Sequence, residues 1–430
     1  MVQEMNRPFK KINKISGELN LPGDKSISHR AVMFSSMADG NSRIENLSSS
    51  EDVISTINCF RDLGVPITIE GNNLSVKGAG QGGFKKPEIP LDAGNSGTTA
   101  RLISGILSAQ KFESTITGDY SLSKRPMNRI TDPLRQMGAD VTASEQGTLP
   151  LTIRPSGKLK PIKYKLPVPS AQVKSSILLA GLHFDSETCV IESVQTRNHT
   201  EKLLGLRTES KSDGIHIFSS KKKYPQPIDY FIPSDISTAA FFIVLALLIP
   251  DAELKINRVS LNSTRTGIID LLLQMGGKIT LQNKFVQCGE EYGDILVKGS
   301  NLQNIKIPAS LIPNIIDEIP ILSVAGIFSR GDFEIRNAAE LRVKESDRIS
   351  ALCSNFKLLG LNVTEFKDGF SVEGKINNKG MKSFNSFDDH RIAMAFGILG
   401  SIIGDCEVRN FDCVKISNPG FLDQLSSISI

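Results

Sequence analysis

The sequence contains no tryptophan and only five tyrosines in 430 residues. Proteins that grip single-stranded nucleic acid stack bases on aromatic side chains, so this scarcity argues against that class. Charge of one sign is also in short supply. The net charge is +4, and no run of five like charges occurs; Lys221, Lys222 and Lys223 form a short solvated loop beside prolines. Cysteine spacing excludes more. Cys59, Cys189, Cys288, Cys353, Cys406 and Cys413 include no C-x-x-C pair, and no histidine pair completes a zinc pattern. They read as free thiols in a reducing compartment. No long hydrophobic run exists. The longest, Ala239 to Ile249, ends at Pro250 and is about half the ~20 residues that a membrane span needs, so it reads as a buried core helix. The opening "MVQEMNRPFKKINKISG" is polar and lacks a signal peptide's apolar core. These absences lead us to expect a soluble cytoplasmic protein with no membrane partner.

What the chain does have is internal repetition. An amphipathic stretch, a glycine after Leu or Met, and a strand-like run recur as "CFRDLGVPITI", "LRQMGADVTA", "KLLGLRTES", "LLQMGGKITL" and "FKLLGLNVTEF". Gly64, Gly138, Gly205, Gly276 and Gly360 each fit the residue just past a helix end, where a left-handed backbone costs glycine little. A hairpin often follows, as in "NVTEFKDGFSVEG". Alternating with these are six more apolar helices opened by small polar residues, from "SISHRAVMFSSMADG" to "DDHRIAMAFGILGSIIG". The chain resolves into six units of roughly 70 residues, each read as strand–helix–strand–helix–hairpin. Helices apolar nearly all round are buried on all sides. The predicted fold is therefore α/β (α+β): two domains, each packing three units around buried helices with small sheets outside. The boundary falls near Pro233, where the fourth unit begins.

The predicted helix starts share a chemistry. Buried helices open with "DKSISHR", "GNSGTTAR", "PSAQVKS", "PSDIS", "DEIP" and "DDHR"; outer ones open with "LSKRPMNR", "TRNHTEK" and "VKESDR". Unpaired N–H groups and the positive dipole end make helix N-termini anion sites, and cations there strengthen the effect. Singly, each pattern reads equally as a capped helix with solvated charges. Their recurrence at one place in a repeat points to a strongly cationic cleft for small ligands with several acidic groups.

These residues resemble the 5-enolpyruvylshikimate-3-phosphate synthase family. The resemblance rests on "LPGDKSISHR", "LDAGNSGTTARL", "KRPM", "PSAQVKSSILLAGL", "LRVKESDRI" and "DDHRIAMAF", spread from the first unit to the sixth. It implies the two-domain enolpyruvyl-transferase fold of six βαβαββ repeats. Residues 22–233 would form one domain, residues 1–21 with 234–430 the other, and the active site would lie in the cleft between them. It also implies transfer of the enolpyruvyl group of phosphoenolpyruvate to the 5-hydroxyl of shikimate 3-phosphate. No metal, organic cofactor or nucleic acid is implied, and the chain would act as a monomer.

By the same resemblance, Lys25 touches both substrates. Ser26 and Arg30 hold the shikimate ring and carboxylate; Ser170, Ala171, Gln172 and Arg197 hold the 3-phosphate, and Lys344 also contacts shikimate 3-phosphate. Asn95, Gly97, Arg125, Arg348 and Arg391, with Gln172, grip phosphoenolpyruvate, and Arg101 supports the loop. Asp317 is implied as the base on the 5-hydroxyl, and Glu345 as the proton donor at the methylene carbon. Lys25 stabilises the departing phosphate. Gly97 keeps the small residue associated with glyphosate sensitivity, and the family is a glyphosate target. The C-terminal "VKISNPGF" departs from the usual pattern: Asn418 precedes Pro419, and Ser417 takes the place of a lysine, with Lys415 nearby.

Two rivals are weaker. UDP-N-acetylglucosamine enolpyruvyltransferases carry a loop cysteine and a Lys-Asn pair; here no cysteine lies between Cys59 and Cys189, and the pair is Lys25-Ser26. A repeat-built RNA-binding or RNA-end-processing protein would need the aromatics and basic surface that the composition lacks.

Overall fold

In a computed structural model that describes residues 6–376 and 380–430, the chain divides into two compact units. One comprises Pro22–Pro233 and Val286–Glu290. The other comprises the N-terminal stretch through Leu21, Ser234–Phe285 and Glu291–Ile430. Each has its own apolar core. The first residues of the polar N-terminal stretch, 1–5, lie outside the described residues.

Six apolar helices form these cores: α1 (Lys25–Met37), α2 (Gly97–Leu107) and α3 (Ala171–Gly181) in the repeat 1–3 unit, and α4 (Ile236–Leu248), α5 (Ile319–Phe328) and α6 (His390–Ile403) in the repeat 4–6 unit. The long apolar run lies in α4, which is buried from Ile236 to Leu247. No single helix among the described residues is long and apolar enough to cross a membrane.

Among the described residues, six small sheets accompany these helices. The third sheet displays the repeat in full. Lys163–Lys165 runs parallel to Thr188–Glu192, which pairs antiparallel with Gly214–Ser219, itself paired with Arg207–Lys211. Two units obtain the leading parallel strand from elsewhere in the chain. Tyr230–Phe231 supplies it beside Asp39–Glu45 in the first, and Ser16–Asn20 beside Glu253–Ser260 in the fourth. Arg7–Phe9 lies antiparallel to Cys406–Arg409 in the sixth. Periodicity alone does not reveal such exchanges, because strand pairing is long-range.

The repeat is less regular than the sequence suggests. The fifth sheet has three strands, and an isolated bridge between Gln303 and Arg330 stands where a leading strand was expected. The sixth sheet also has three strands. Helix starts differ too. Arg125 is extended ahead of Pro126 rather than helical, because the proline ring disfavours helical backbone in the residue before it. The helix that follows begins at Asn128. Arg197 likewise precedes the helix His199–Leu204, and Lys344 and Glu345 precede Arg348–Lys357. Charges gather in lead-in turns as much as in first helical turns.

The five recurrent glycines all adopt positive φ, from +56° at Gly205 to +94° at Gly276. At Gly276 an added Cβ would meet only the Asn301 carbonyl, at 3.5 Å, whereas at Gly138 it would lie 2.2 Å from the Lys158 carbonyl oxygen. Gly276→Ala is therefore expected to lose about 1 kcal/mol in urea unfolding, the cost of left-handed backbone for a side-chain residue. Gly138→Ala should lose clearly more, because the backbone must also move. Equal losses would contradict the steric account.

Candidate active site

The helix caps set the local electrostatics. Ser96 and Ser170 cap α2 and α3 through their hydroxyls, accepting from Thr99 N–H (3.1 Å) and Val173 N–H (3.4 Å). Asp24, Asp235 and Asp389 cap α1, α4 and α6, accepting from the N–H groups of Ile27, Ser237 and Arg391 at 2.9, 2.7 and 2.9 Å. An aspartate cap already supplies a negative charge to the positive helix end, whereas a serine cap leaves that end uncompensated.

In the repeat 1–3 unit, polar contacts between different inner helices show that their N-terminal turns meet. Arg101 on α2 donates from Nη1 to Gln172 Oε1 on α3 (2.6 Å), and Gln172 Nε2 donates to Thr98 Oγ1 (3.1 Å). Arg101 also reaches the Pro126 carbonyl (3.5 Å), beside Arg125. Arg125 Nη2 donates to Asn95 Oδ1 (3.0 Å) and Ser121 Oγ (3.3 Å), and Asn95 donates to Asp119 Oδ2 (2.7 Å). A Cβ at Gly97 would fall 2.8 Å from Arg101 Nη1 and 3.6 Å from Arg125 Nη1. Asn95, Gly97, Arg101, Arg125 and Gln172 thus form one cluster, with Ser170 and Ala171 adjoining it at the start of α3.

Lys25, half-buried, donates to Asp52 Oδ2 at 2.7 Å. Arg30 is buried. Its Nε donates to Thr200 Oγ1 (2.7 Å), its Nη2 to Ser175 Oγ (2.9 Å) and its Nη1 to the Ser26 carbonyl (2.9 Å). Burial lowers its pKa to about 10; Glu201, Asp24 and Glu290 oppose that fall, while the charge of Arg197 adds to it. Lys174, within the opening "PSAQVKS", is fully buried and paired with Glu192 and Glu201.

The repeat 4–6 unit holds the second cluster. Arg348 is 1% exposed and faces three carboxylates. Nε donates to Asp389 Oδ2 (2.8 Å), Nη2 to Glu345 Oε2 (2.6 Å) and Asp389 Oδ1 (3.3 Å), and Nη1 to Asp317 Oδ1 (3.4 Å). Burial opposes its charge, but Asp389, Glu345 and Asp317 outweigh burial and raise its pKa above the ordinary range. Burial, and then Glu345, push the Asp389 carboxyl up, but Arg348 and His390 together hold it below its ordinary value. Asp317 also has Lys344 Nζ at 3.6 Å from Oδ1 and Arg391 Nη2 at 3.8 Å from Oδ2, and its carbonyl accepts from Arg391 Nη1 (2.8 Å). Glu318 is buried beside Arg265 and Arg391, and Ser237 donates to it. Four carboxylates therefore stand among Lys344, Arg348, Arg391 and Arg265, so this cluster is not the plainly cationic surface that the sequence suggests.

Hydroxyls inside the quoted motifs supplied partners the sequence reading did not assign: Thr98, Ser175 and Thr200. Asp52 and Arg265 carried no signal at all. At the C-terminus, Lys415 forms an exposed pair with Asp412 (2.8 Å), and buried Asn418 exchanges amide hydrogen bonds with Gln424 at 2.8 and 3.1 Å. Asn418 is thus a packing residue of the last helix, Phe421–Ile428.

Residues 9–425 match the model of the family described as EPSP synthase (3-phosphoshikimate 1-carboxyvinyltransferase). The chain belongs to the EPSP synthase family. It is 47% identical over 418 residues to the 3-phosphoshikimate 1-carboxyvinyltransferase of Oceanobacillus iheyensis, covering 96% of this chain and 97% of that protein. It is 45% identical to the protein of the same name from Salinibacter ruber, covering 97% of each. The EPSP synthase structure from Acinetobacter baumannii superposes with a TM-score of 0.86 at 39% identity, covering 100% of this chain and 98% of that one. The enolpyruvyl transferase NikO from Streptomyces tendae, at 15% identity and a TM-score of 0.76 over 99% of this chain and 98% of its own, shares the fold. The enolpyruvyl-transferase fold that the family resemblance implies is therefore established for this EPSP synthase family member.

His29, between Lys25 and Arg30, gives the site a measurable pH signature. Its Nδ1 lies 2.6 Å from Thr56 Oγ1, and burial lowers its pKa from 6.5 to about 3. Below about pH 6.5 the unfolded chain binds a proton that the folded chain refuses. Stability is thus lost as pH falls from 6.5 toward 3, at about 1.4 kcal/mol per pH unit. Urea unfolding at about pH 7 and about pH 5 should show a shallower loss for His29→Asn than for the parent. Identical slopes would mean that His29 is already protonated when folded.

Proposed function

We propose that the residues of both clusters serve one reaction, in which the chain transfers the enolpyruvyl group of phosphoenolpyruvate to the 5-hydroxyl of shikimate 3-phosphate and releases phosphate. The observation that carries this reading is Asp317. It is a nearly buried carboxylate among Lys344, Arg348 and Arg391, with Glu345 held on the same guanidinium.

The reaction is an addition followed by an elimination. Asp317 takes the proton of the 5-hydroxyl as its oxygen bonds to C2 of phosphoenolpyruvate. Glu345 delivers a proton to the methylene carbon, which becomes a methyl group. In the second step Glu345 removes a proton from that methyl, the double bond reforms, and the C2–O bond to phosphate breaks. Lys25 offsets the charge on the departing phosphate.

Ligand-free geometry adds a requirement. Arg348 Nη2 holds Glu345 at 2.6 Å, and a carboxylate so paired is a poor proton donor. An acidic group of phosphoenolpyruvate that takes the place of Glu345 on Arg348 frees the carboxyl to carry a proton. Arg125 and Arg391 offer planar donors for the remaining acidic oxygens. Asn95, Gly97 and the serine-capped end of α2 complete the phosphoenolpyruvate contacts. Ser170, Ala171 and Gln172 at the start of α3, together with Arg197, receive the 3-phosphate, Ser26 and Arg30 the ring and carboxylate, and Lys344 contacts the same substrate. The working unit in this reading is a cytoplasmic monomer, and light scattering should return the single-chain mass of 46.9 kDa.

Phosphate release from phosphoenolpyruvate should depend on shikimate 3-phosphate and ignore UDP-N-acetylglucosamine; the converse would remove the reading. Asp317→Ala and Glu345→Ala should each keep the parent circular dichroism and lose about a hundredfold or more in kcat, the scale of general acid–base catalysis. Near-parent rates in both would mean that the protons travel elsewhere.

A further inference from the structure

Lys174 sits in α3 with its side chain entirely out of solvent. An unpaired ammonium there would be strongly unfavourable. Its Nζ donates to both oxygens of Glu192 at 2.9 Å and forms an ion pair with Glu201 Oε1 at 2.7 Å, so one ammonium holds two carboxylates. The two carboxylates belong to different elements. Glu192 ends the strand Thr188–Glu192, and Glu201 lies in the helix His199–Leu204. Lys174 therefore clamps both ends of the loop of residues 193–198, which contains Arg197.

The clamp continues to the arginines. Glu192 Oε2 also accepts from the Thr196 backbone N–H (3.1 Å) and from Thr196 Oγ1 (2.6 Å), one residue before Arg197. On the helix side, Thr200 is the neighbour of Glu201; it accepts from Arg30 Nε and lies 2.8 Å from Ser175 Oγ. Arg30 and Arg197 repel one another, and Glu201 attracts Arg30. Two carboxylates against one ammonium leave a surplus negative charge beside the arginine pair, and this holds two like charges near each other before any anion arrives.

We propose that Lys174 is a positioning residue for the anionic groups of shikimate 3-phosphate: through Glu192–Thr196 it sets Arg197, and through Glu201 and its neighbour Thr200 it sets Arg30. The inference rests on the assignment of Arg30 and Arg197 to shikimate 3-phosphate. The polar ties traced from Lys174 lead to Thr196, beside Arg197, and to Thr200, which accepts from Arg30. A merely structural clamp would not discriminate between the substrates.

The test is steady-state phosphate release with each substrate varied in turn, on the full chain. Thr196→Val removes the hydroxyl half of the Glu192–Thr196 tie beside Arg197 and leaves the Thr196 N–H bond and the Lys174 pairs intact. It should raise KM for shikimate 3-phosphate about tenfold, the order expected when a contact group is slightly misplaced, with KM for phosphoenolpyruvate and kcat within about twofold of the parent. Thr196→Ser, which keeps the hydroxyl, should restore the parent value. Lys174→Met should raise the same KM and also lower Tm, and the Lys174→Met/Thr196→Val double variant should be less than additive in KM. If Lys174→Met fails to fold, the Thr196 pair carries the same measurement. Equal rises in both KM values, or a lower Tm with an unchanged KM for shikimate 3-phosphate, would overturn the proposal. A parent chain whose phosphate release is independent of shikimate 3-phosphate would instead overturn the substrate assignment, and the positioning role with it.

Discussion

The guanidinium of Arg348 is enclosed, and it stays charged because Asp317, Glu345 and Asp389 surround it. Burying an ion without a partner is far more costly than burying it paired and hydrogen-bonded. That constraint shapes both units. Lys174 is buried against Glu192 and Glu201, and Arg30 against neutral hydroxyls with Glu201 close by. Each buried cation joins elements that are distant in sequence, so charge matching orders the clusters as well as neutralising them. The apolar helices supply the rigid ground, and the ion pairs decide where side chains at their ends point.

The caps divide the labour further. Three inner helices end in aspartate caps and two in serine caps. Aspartate satisfies both the orphan N–H groups and the dipole; serine satisfies only the N–H groups. The serine-capped ends of α2 and α3 are therefore the ones left with uncompensated positive character. These ends carry Gly97 and Ala171–Gln172, the backbone positions assigned to phosphate groups. In the repeat 4–6 unit, aspartate-capped α4 and α6 accompany a cluster rich in carboxylates, where proton transfer is proposed beside the anion contacts of Lys344, Arg348 and Arg391.

Much of this was legible in the residues. The five recurrent glycines announce five helix ends, and all five have the left-handed backbone they imply. The run from Ala239 to Ile249 announces a helix with no exposed face, and α4 has almost none. Lys174 shows where such reading stops. Beside a serine cap it looks like another cation for a ligand, and only the folded chain reveals Glu192 and Glu201 against it. Arg125 is a second case: "KRPM" draws attention to it, but its extended place ahead of the helix follows from Pro126. The missing leading strand of the fifth sheet, and the strands lent by Tyr230–Phe231 and Ser16–Asn20, are decided by pairing over long separations.

By itself the sequence determined the six-unit repeat, the apolar inner helices, their polar openings and the family to which those openings point. These depend on periodicity and on local backbone preference, which are written within a few turns of chain. Tertiary structure alone decided which cations stand beside carboxylates and which caps leave a helix end positive beside its neighbours. It also decided that Asp52 faces Lys25 and that Glu318 lies near Arg265. Coulomb energy depends on distance in space and on exclusion of water, and neither is a property of any short stretch of residues.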